Sequence, residues 1–279
     1  MNSVKLIALD IDGTLYNKDG VITSYNKEMI RKAVENGITV IISTGRPYIG
    51  LPVDEMKELG IQYAITANGS AVYRVPEKEL LLDESMDTDL SVRLLRKLYT
   101  QSLYSDAFIN GDGYTQFSTS ELTNLLDIPD SLKKYIQTTR KTITDLAAYI
   151  EEHKLCVSKL TLNFAPDADG SYTTREKTKE ILDTFPEVTY VSGGFHNLEV
   201  TRCGIAKSKG LKFLCDYLHI SMEDTMAGGD SANELDIVKA AGIGVAMGNA
   251  QQLLKDSADF ISLSNEEDGV AYAIERFCF

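Results

Sequence analysis

The chain opens on a short apolar run, Val4-Lys5-Leu6-Ile7-Ala8-Leu9. It is too short for a helix and rich in strand-compatible residues, so it predicts a buried β-strand. A helical spacing follows over residues 24–36, with Met29, Ile30, Ala33 and Val34 on one face, Ser24 as N-cap and Gly37 as stop. Ile38-Thr39-Val40-Ile41-Ile42 predicts a second buried strand, Pro47 starts another helix ending near Gly60, and residues 63–66 predict a third strand. This β-α-β-α-β order calls for a parallel sheet with helices on both faces. Residues 71–74 and 79–82, joined by Val75-Pro76-Glu77-Lys78, read as a hairpin.

The texture changes over residues 83–191. Helical patterns (89–101, 143–153, 174–185) mix with strand-like ones (103–109, 157–164, 188–191), and Thr173-Thr174-Arg175-Glu176 fits a capping box. This block predicts an α+β insert with its own small core, and Ser192-Gly193-Gly194 reads as a hinge on its return side. Alternation resumes afterwards: strands at 198–201, 225–227, 244–247 and 260–262, helices at 208–219, 233–241, 251–256 and 269–277. The expected organisation is a discontinuous α/β core, residues 1–82 and 192–279, carrying an inserted domain at 83–191.

With 279 residues, 43% of them hydrophobic, the chain can bury a sizeable core in one or two domains. Its formal net charge is −13, from 41 acidic and 28 basic residues, and Lys and Arg form no dense cluster, which argues against nucleic acid. The four cysteines, Cys156, Cys203, Cys215 and Cys278, lack C-x-x-C or zinc spacing and read as free thiols of a reducing compartment. Asp10 and Asp12 interrupt the first apolar run too early for a signal peptide, and no stretch approaches the ~18 apolar residues of a membrane span. A soluble, cytoplasmic protein is expected, a monomer or homodimer.

Chemistry-bearing residues fall directly after strand-like runs. Asp10 and Asp12 follow the first strand, alternate residues of which point to one side. Two carboxylates held that close repel by about 4 kcal/mol at a surface-like dielectric, which calls for a nearby cation or a raised pKa. Gly13 lets the backbone turn there. Ser43-Thr44-Gly45-Arg46 follows the second strand, and Gly228-Gly229-Asp230-Ser231-Ala232-Asn233-Glu234 follows residues 225–227. Lys207 stands just before a predicted helix. Taken singly, each has an ordinary reading as turn former, N-cap or solvated surface. Jointly they place carboxylates, a hydroxyl, an amide and a lysine at the carboxyl edge of one sheet, where ligands bind in parallel α/β folds. That inventory suits phosphoryl transfer, which relies on positioning and charge neutralisation.

Asp10-Ile11-Asp12-Gly13-Thr14-Leu15, Ser43-Thr44-Gly45-Arg46-Pro47, Lys207 and Gly229-Asp230-Ser231-Ala232-Asn233 make the chain resemble the haloacid dehalogenase (HAD) superfamily of phosphatases over nearly its whole length. Ala67-Asn68-Gly69, Ala246-Met247-Gly248-Asn249-Ala250 and Asn265-Glu266-Glu267-Asp268-Gly269-Val270 align it with the Cof-type branch, class IIB, with its large α/β cap inserted after the third core strand. The resemblance implies a Rossmann-like parallel-sheet core domain with an inserted α+β cap domain. It implies Asp10 as nucleophile forming an aspartyl-phosphate, and Asp12 as general acid and then base. Mg²⁺ would be held by Asp10, the backbone carbonyl of Asp12, and Asp230. Thr44 and Lys207 would grip phosphoryl oxygens, Asn233 would orient the site, and Gly13, Gly45 and Arg46 would complete the phosphate and substrate contacts. For Arg46 a second role, bracing its loop, stands equally open.

Glu234 departs from the pattern, which has Asp after the Asn; the longer acid could bind metal through water or shift the metal. Lys209 rivals Lys207, which the family register favours. His153, His196 and His219 sit in no motif. Tyr114, Asp112 and Asn110 could read substrate, but Asn110-Gly111-Asp112-Gly113 reads better as a turn between strands. The implied activity is Mg²⁺-dependent hydrolysis of small phosphorylated metabolites, sugar phosphates or a phosphorylated cofactor. The alternatives are a phosphomutase and a metabolite-binding module with residual hydrolysis.

Overall fold

The computed structural model describes residues 4–126, 128, 130–192 and 196–279. The first stretch builds β1 (Leu6–Leu9), β2 (Thr39–Ser43), β3 (Tyr63–Thr66), β4 (Ala71–Arg74) and β5 (Glu79–Asp83), with α1 (Ser24–Glu35) and α2 (Val53–Leu59) between them. β1 is buried along its length, as a strand covered on both faces must be. The cap of α1 is Thr23 rather than the expected Ser24; the Thr23 hydroxyl accepts from the Asn26 backbone N–H at 3.2 Å. Pro47 does not start a continuous helix. A single 3₁₀ turn occupies Tyr48–Gly50, and α2 begins only after Pro52, whose ring removes a backbone donor.

The insert contributes α3 (Thr88–Leu98), β6 (Tyr104–Ile109), β7 (Asp112–Thr115), α4 (Thr119–Leu125), α5 (Asp130–Thr139), β8 (Arg140–Thr142), α6 (Leu146–His153), β9 (Lys159–Asn163), α7 (Thr173–Leu182), β10 (Val188–Val191) and β11 (Leu198–Arg202). Its six strands form one sheet in the order β10-β11-β9-β6-β7-β8. Ala107, Ile109, Leu160, Leu162, Leu198 and Val200 alternate onto one face and join Leu94, Leu95 and Ile150 of the helices in a single apolar core. The expected capping box at Thr173 is absent: Thr173 is already helical, and its N–H donates to the Asp167 carboxylate at 2.8 Å.

The chain then adds α8 (Lys207–Leu218), β12 (Thr225–Gly229), α9 (Leu235–Ala240), β13 (Ile243–Ala246), α10 (Gln252–Lys255), β14 (Phe260–Ile261) and α11 (Gly269–Cys278). The core sheet runs β14-β13-β12-β1-β2-β3-β4-β5, with β14 through β3 parallel and the β3–β4 pair antiparallel. β1 lies between β2 and β12, so the order of connection reverses at its carboxyl end, which is where an open α/β sheet forms its crevice.

Two compact units result: residues 1–45, 52–82 and 206–279 in one, residues 46–51 and 83–205 in the other. The expected return at residue 192 is therefore corrected to residue 206. Residues 198–201, expected in the core, form most of β11, which pairs antiparallel with β9 and β10 in the second sheet. Of the expected hinge, Gly193 and Gly194 lie outside the described residues. All four cysteines are free. Among the described residues, no helix is long and apolar enough to cross a membrane.

Candidate active site

Three strand ends assemble the site. Leu9 of β1 stands level with Gly228 of β12 on one side and Ile42 of β2 on the other. The next residues in each chain segment, Asp10, the Gly229-Asp230 pair and Ser43-Thr44, thus emerge at one edge. Asp10 and Thr44 are buried. Lys207, the first residue of α8, is 1% exposed and donates to Asp10 Oδ1 at 2.8 Å and to Glu234 Oε1 at 2.5 Å. The rival Lys209 is exposed. Two glycines make the close approach sterically feasible. A Cβ on Gly13, whose φ is +76°, would stand 2.4 Å from Asp230 Oδ2. A Cβ on Gly229 would meet Glu234 Cγ at 2.3 Å, so the extra methylene of Glu234 lies where the strand has no side chain.

The electrostatics show a deficit of positive charge. Burial drives the Asp10 carboxyl well above the ordinary carboxylate range; Lys207 opposes this, while Glu234 and Asp12 reinforce it. Asp230 is pushed up to about 7, first by burial and then by Glu234, again against Lys207. Burial alone would lower Lys207, yet Asp10 and Glu234 hold it above the usual lysine value, so it stays an ammonium. One carboxylate oxygen from each of Asp10, Asp230 and Glu234 lies within 4.8 Å of the others. A cluster of hard oxygen donors with unneutralised charge fits a divalent cation of the Mg²⁺ type.

Glu234 is the residue whose place the sequence could not anticipate. One of its oxygens takes Lys207; the other accepts from the Ser231 N–H and hydroxyl, each at 2.9 Å, closing a capping box around the turn that carries Asp230. Both oxygens are engaged within the protein. Asn233 shares that turn, its side-chain oxygen accepting from the Ser231 hydroxyl. Asp12 is exposed on the loop beyond β1, with Gly13 next to it, and Gly45 directly follows Thr44.

Arg46 goes elsewhere. Residues 46–51 cluster with the second unit, where the Arg46 guanidinium donates to the Gly50 carbonyl at 3.1 Å and lies over the Tyr135 ring at 4.5 Å. These contacts lie within its own loop and on Tyr135. Asn110 and Gly111 form the tight turn between β6 and β7, with φ of 52° and 81°. Asp112 pairs with Lys141, whose ammonium also lies over Tyr114. His153 ends α6, His219 caps α8 and His196 stacks on Tyr172; none joins the acidic cluster.

The family model for haloacid dehalogenase-like hydrolases matches residues 7–274. The chain is 31% identical to Phosphatase YwpJ of Bacillus subtilis, over 98% of this chain and 99% of that protein. It is 30% identical to the 5-amino-6-(5-phospho-D-ribitylamino)uracil phosphatase YcsE of the same organism, over 98% and 96%. A haloacid dehalogenase-like hydrolase from B. subtilis superposes with a TM-score of 0.84 at 29% identity, covering 98% of this chain and 99% of that one. Order of motifs, topology and likeness over the full length agree: the chain belongs to the haloacid dehalogenase-like hydrolases and is an enzyme of the phosphatase type.

Proposed function

We propose that this enzyme is a Mg²⁺-dependent phosphatase that hydrolyses phosphate monoesters of small metabolites, sugar phosphates or a phosphorylated cofactor, through an aspartyl-phosphate. The observation that carries the reading is the buried Asp10–Lys207 contact at 2.8 Å with Asp230 and Glu234 beside it. An Asp on this edge is a nucleophile held against a fixed cation. Asp10 attacks phosphorus; the new P–O bond forms as the bond to the leaving oxygen breaks, and Asp12 gives that oxygen a proton. Asp12 then takes a proton from water as the water attacks the phosphoryl group. Cleavage of the Asp10–phosphorus linkage releases inorganic phosphate and restores the carboxylate.

Lys207 and Thr44 hold the transferring oxygens, and Glu234 keeps the Lys207 ammonium in place. Mg²⁺ would be held by Asp10, the Asp12 backbone carbonyl and Asp230, and when bound it supplies positive charge to the carboxylates and the phosphate. A relative at 30% identity is named for a ribityl phosphate substrate, which supports the small-metabolite class. Four free thiols support a cytoplasmic location.

The test is phosphate release from a panel of sugar phosphates, nucleotides and phosphorylated cofactors, with Mg²⁺ and with chelator. Release should require the metal, and Asp10→Asn should lower kcat on the order of 10⁴-fold or more. Activity retained by Asp10→Asn overturns the nucleophile. Isomerised sugar phosphate in place of free phosphate assigns the chain to the mutases.

A further inference from the structure

The loop that leaves β1 carries Asp12, and it is tied down by side chains from the far end of the sequence. Asn249 Nδ2 donates to the Gly13 carbonyl at 2.8 Å. Asn265 Nδ2 donates to the Tyr16 carbonyl, also at 2.8 Å. The two asparagines are themselves joined, because the Asn265 N–H donates to Asn249 Oδ1 at 3.0 Å. Further along the same loop, the Lys18 N–H donates to Glu266 Oε1 at 2.5 Å, and the Thr23 hydroxyl donates to Asp268. Within the loop, Tyr16 N–H reaches the Ile11 carbonyl at 2.8 Å, and Asp12 and Tyr16 form an isolated bridge. The carbonyls at 13 and 16 both follow Asp12 in the loop, and each is fixed by an asparagine amide.

We propose that Asn249 and Asn265 are positioning residues for the proton transfers of Asp12, an inference that rests on the function proposed above. The chemistry explains the residue type. At position 249 the side chain must donate to a carbonyl and accept from an N–H at once, which an amide does and a carboxylate does not. The bases of both struts are fixed: the Gly248 N–H donates to the Leu263 carbonyl at 2.9 Å, and Lys255 Nζ holds the Gly248 carbonyl at 2.6 Å. Asn249 is exposed, so its hydrogen bonds add little to a core; what they fix is the path of the Asp12 loop. Asp12 has to reach a leaving oxygen, and a misplacement of about 1 Å at such a group is costly in rate.

The experiment compares kcat/KM for p-nitrophenyl phosphate and phenyl phosphate in wild type, Asn249→Ala, Asn249→Asp and Asn265→Ala. Both substrates report phosphoryl transfer to Asp10. The p-nitrophenolate departs with little help, whereas phenolate needs the proton from Asp12. The expected result is that each variant loses about tenfold more on phenyl phosphate than on p-nitrophenyl phosphate, a fraction of what a general acid contributes. Asn249→Asp should behave as Asn249→Ala does, since both lack the donor to Gly13. Melting midpoints identify any variant that fails to fold, and Asn265→Ala tests the same loop from its second strut. An unchanged ratio between the substrates in the folded variants overturns the proposal, whether or not overall activity falls. A wild type with no metal-dependent phosphate release, or an active Asp10→Asn, instead overturns the function on which it rests.

Discussion

In the second unit, Arg140 meets Asp106 at 2.9 Å with side chains 4% and 2% exposed, and Lys159 meets Glu199 at 2.5 Å. Two cations face two carboxylates. At the carboxyl edge of the core sheet one ammonium, Lys207, serves both Asp10 and Glu234, with Asp230 close by. Burial penalises charge in both places. In the insert the penalty is offset pair by pair, and Phe108 lies between the two cations, 4.8 Å from Arg140 and 5.0 Å from Lys159. At the sheet edge the offset is incomplete, and the carboxyls of Asp10 and Asp230 are driven upward in consequence. Burial of charge therefore does not by itself distinguish a structural from a chemical site; the unbalanced sum does, because carboxylates left without a cation are a donor set that could hold a metal ion.

The largest contrast is in stability. Arg140→Ala leaves Asp106 buried without its cation, and Asp106 Oδ1 already lacks a hydrogen-bond partner. Unfolding titrations should show a loss of about 3–5 kcal/mol, largely recovered in the double variant Arg140→Met/Asp106→Leu. Asp10→Asn should do the opposite in the metal-free protein, raising the melting midpoint while abolishing turnover, since it removes a carboxylate the fold holds unfavourably. Equal destabilisation by Arg140→Ala and Asp10→Asn would erase the distinction between balanced and unbalanced charge.

The sheet edge was legible because two of its contributors follow strong apolar runs: Asp10 after residues 4–9, Thr44 after residues 38–42. A strand too short to be a helix, ended by a carboxylate and a glycine, announces its own direction. What stayed hidden depends on partners far away in sequence. Residues 198–202 alternate like a core strand, and only the pairing of Leu198 with Leu162 and of Val200 with Leu160 shows that they belong to the second sheet. α4 is two turns long and carries Ser and Thr beside its few apolar residues, which leaves little periodicity to read. Arg46 stood in the right motif, yet its side chain is claimed by Tyr135, more than eighty residues along, and no local pattern encodes that stacking. For Glu234 the sequence showed an acid longer by one methylene; that the methylene lies against Gly229 is a fact of tertiary packing.

Next in size is the response to metal. If the deficit at the sheet edge is a reserved place for a cation, Mg²⁺ at about 100 times its dissociation constant should stabilise the folded wild type by about 2.7 kcal/mol. Asp230→Asn should lose most of that gain, and Arg140→Met/Asp106→Leu none of it. A shift of the same size in Asp230→Asn would move the metal away from the cluster.

The most direct measure of the imbalance is its pH dependence without metal. The Asp230 carboxyl lies at about 7 in the fold against an ordinary 3.8, and Asp10 is raised in the same direction. A carboxyl whose pKa is higher folded than unfolded binds its proton more tightly in the folded state. Its contribution to stability is thus fully present below the unfolded value and is lost as pH climbs through the folded one, here between about pH 4 and pH 7. Exposed carboxylates with lowered values, such as Asp167 and Glu176, slope the other way, so wild type alone mixes the two signs. The difference between Asp230→Asn and wild type in chelator isolates the site. The variant should melt higher than wild type at about pH 8 and close to it at about pH 3.5, where the wild-type carboxyl is protonated in the folded and the unfolded state alike. If Asp230 is a metal ligand, saturating Mg²⁺ should reverse the order at the higher pH, because the cation then offsets the charge of its carboxylate. A gap between the two proteins that is the same at both pH values would mean that Asp230 carries no such burden.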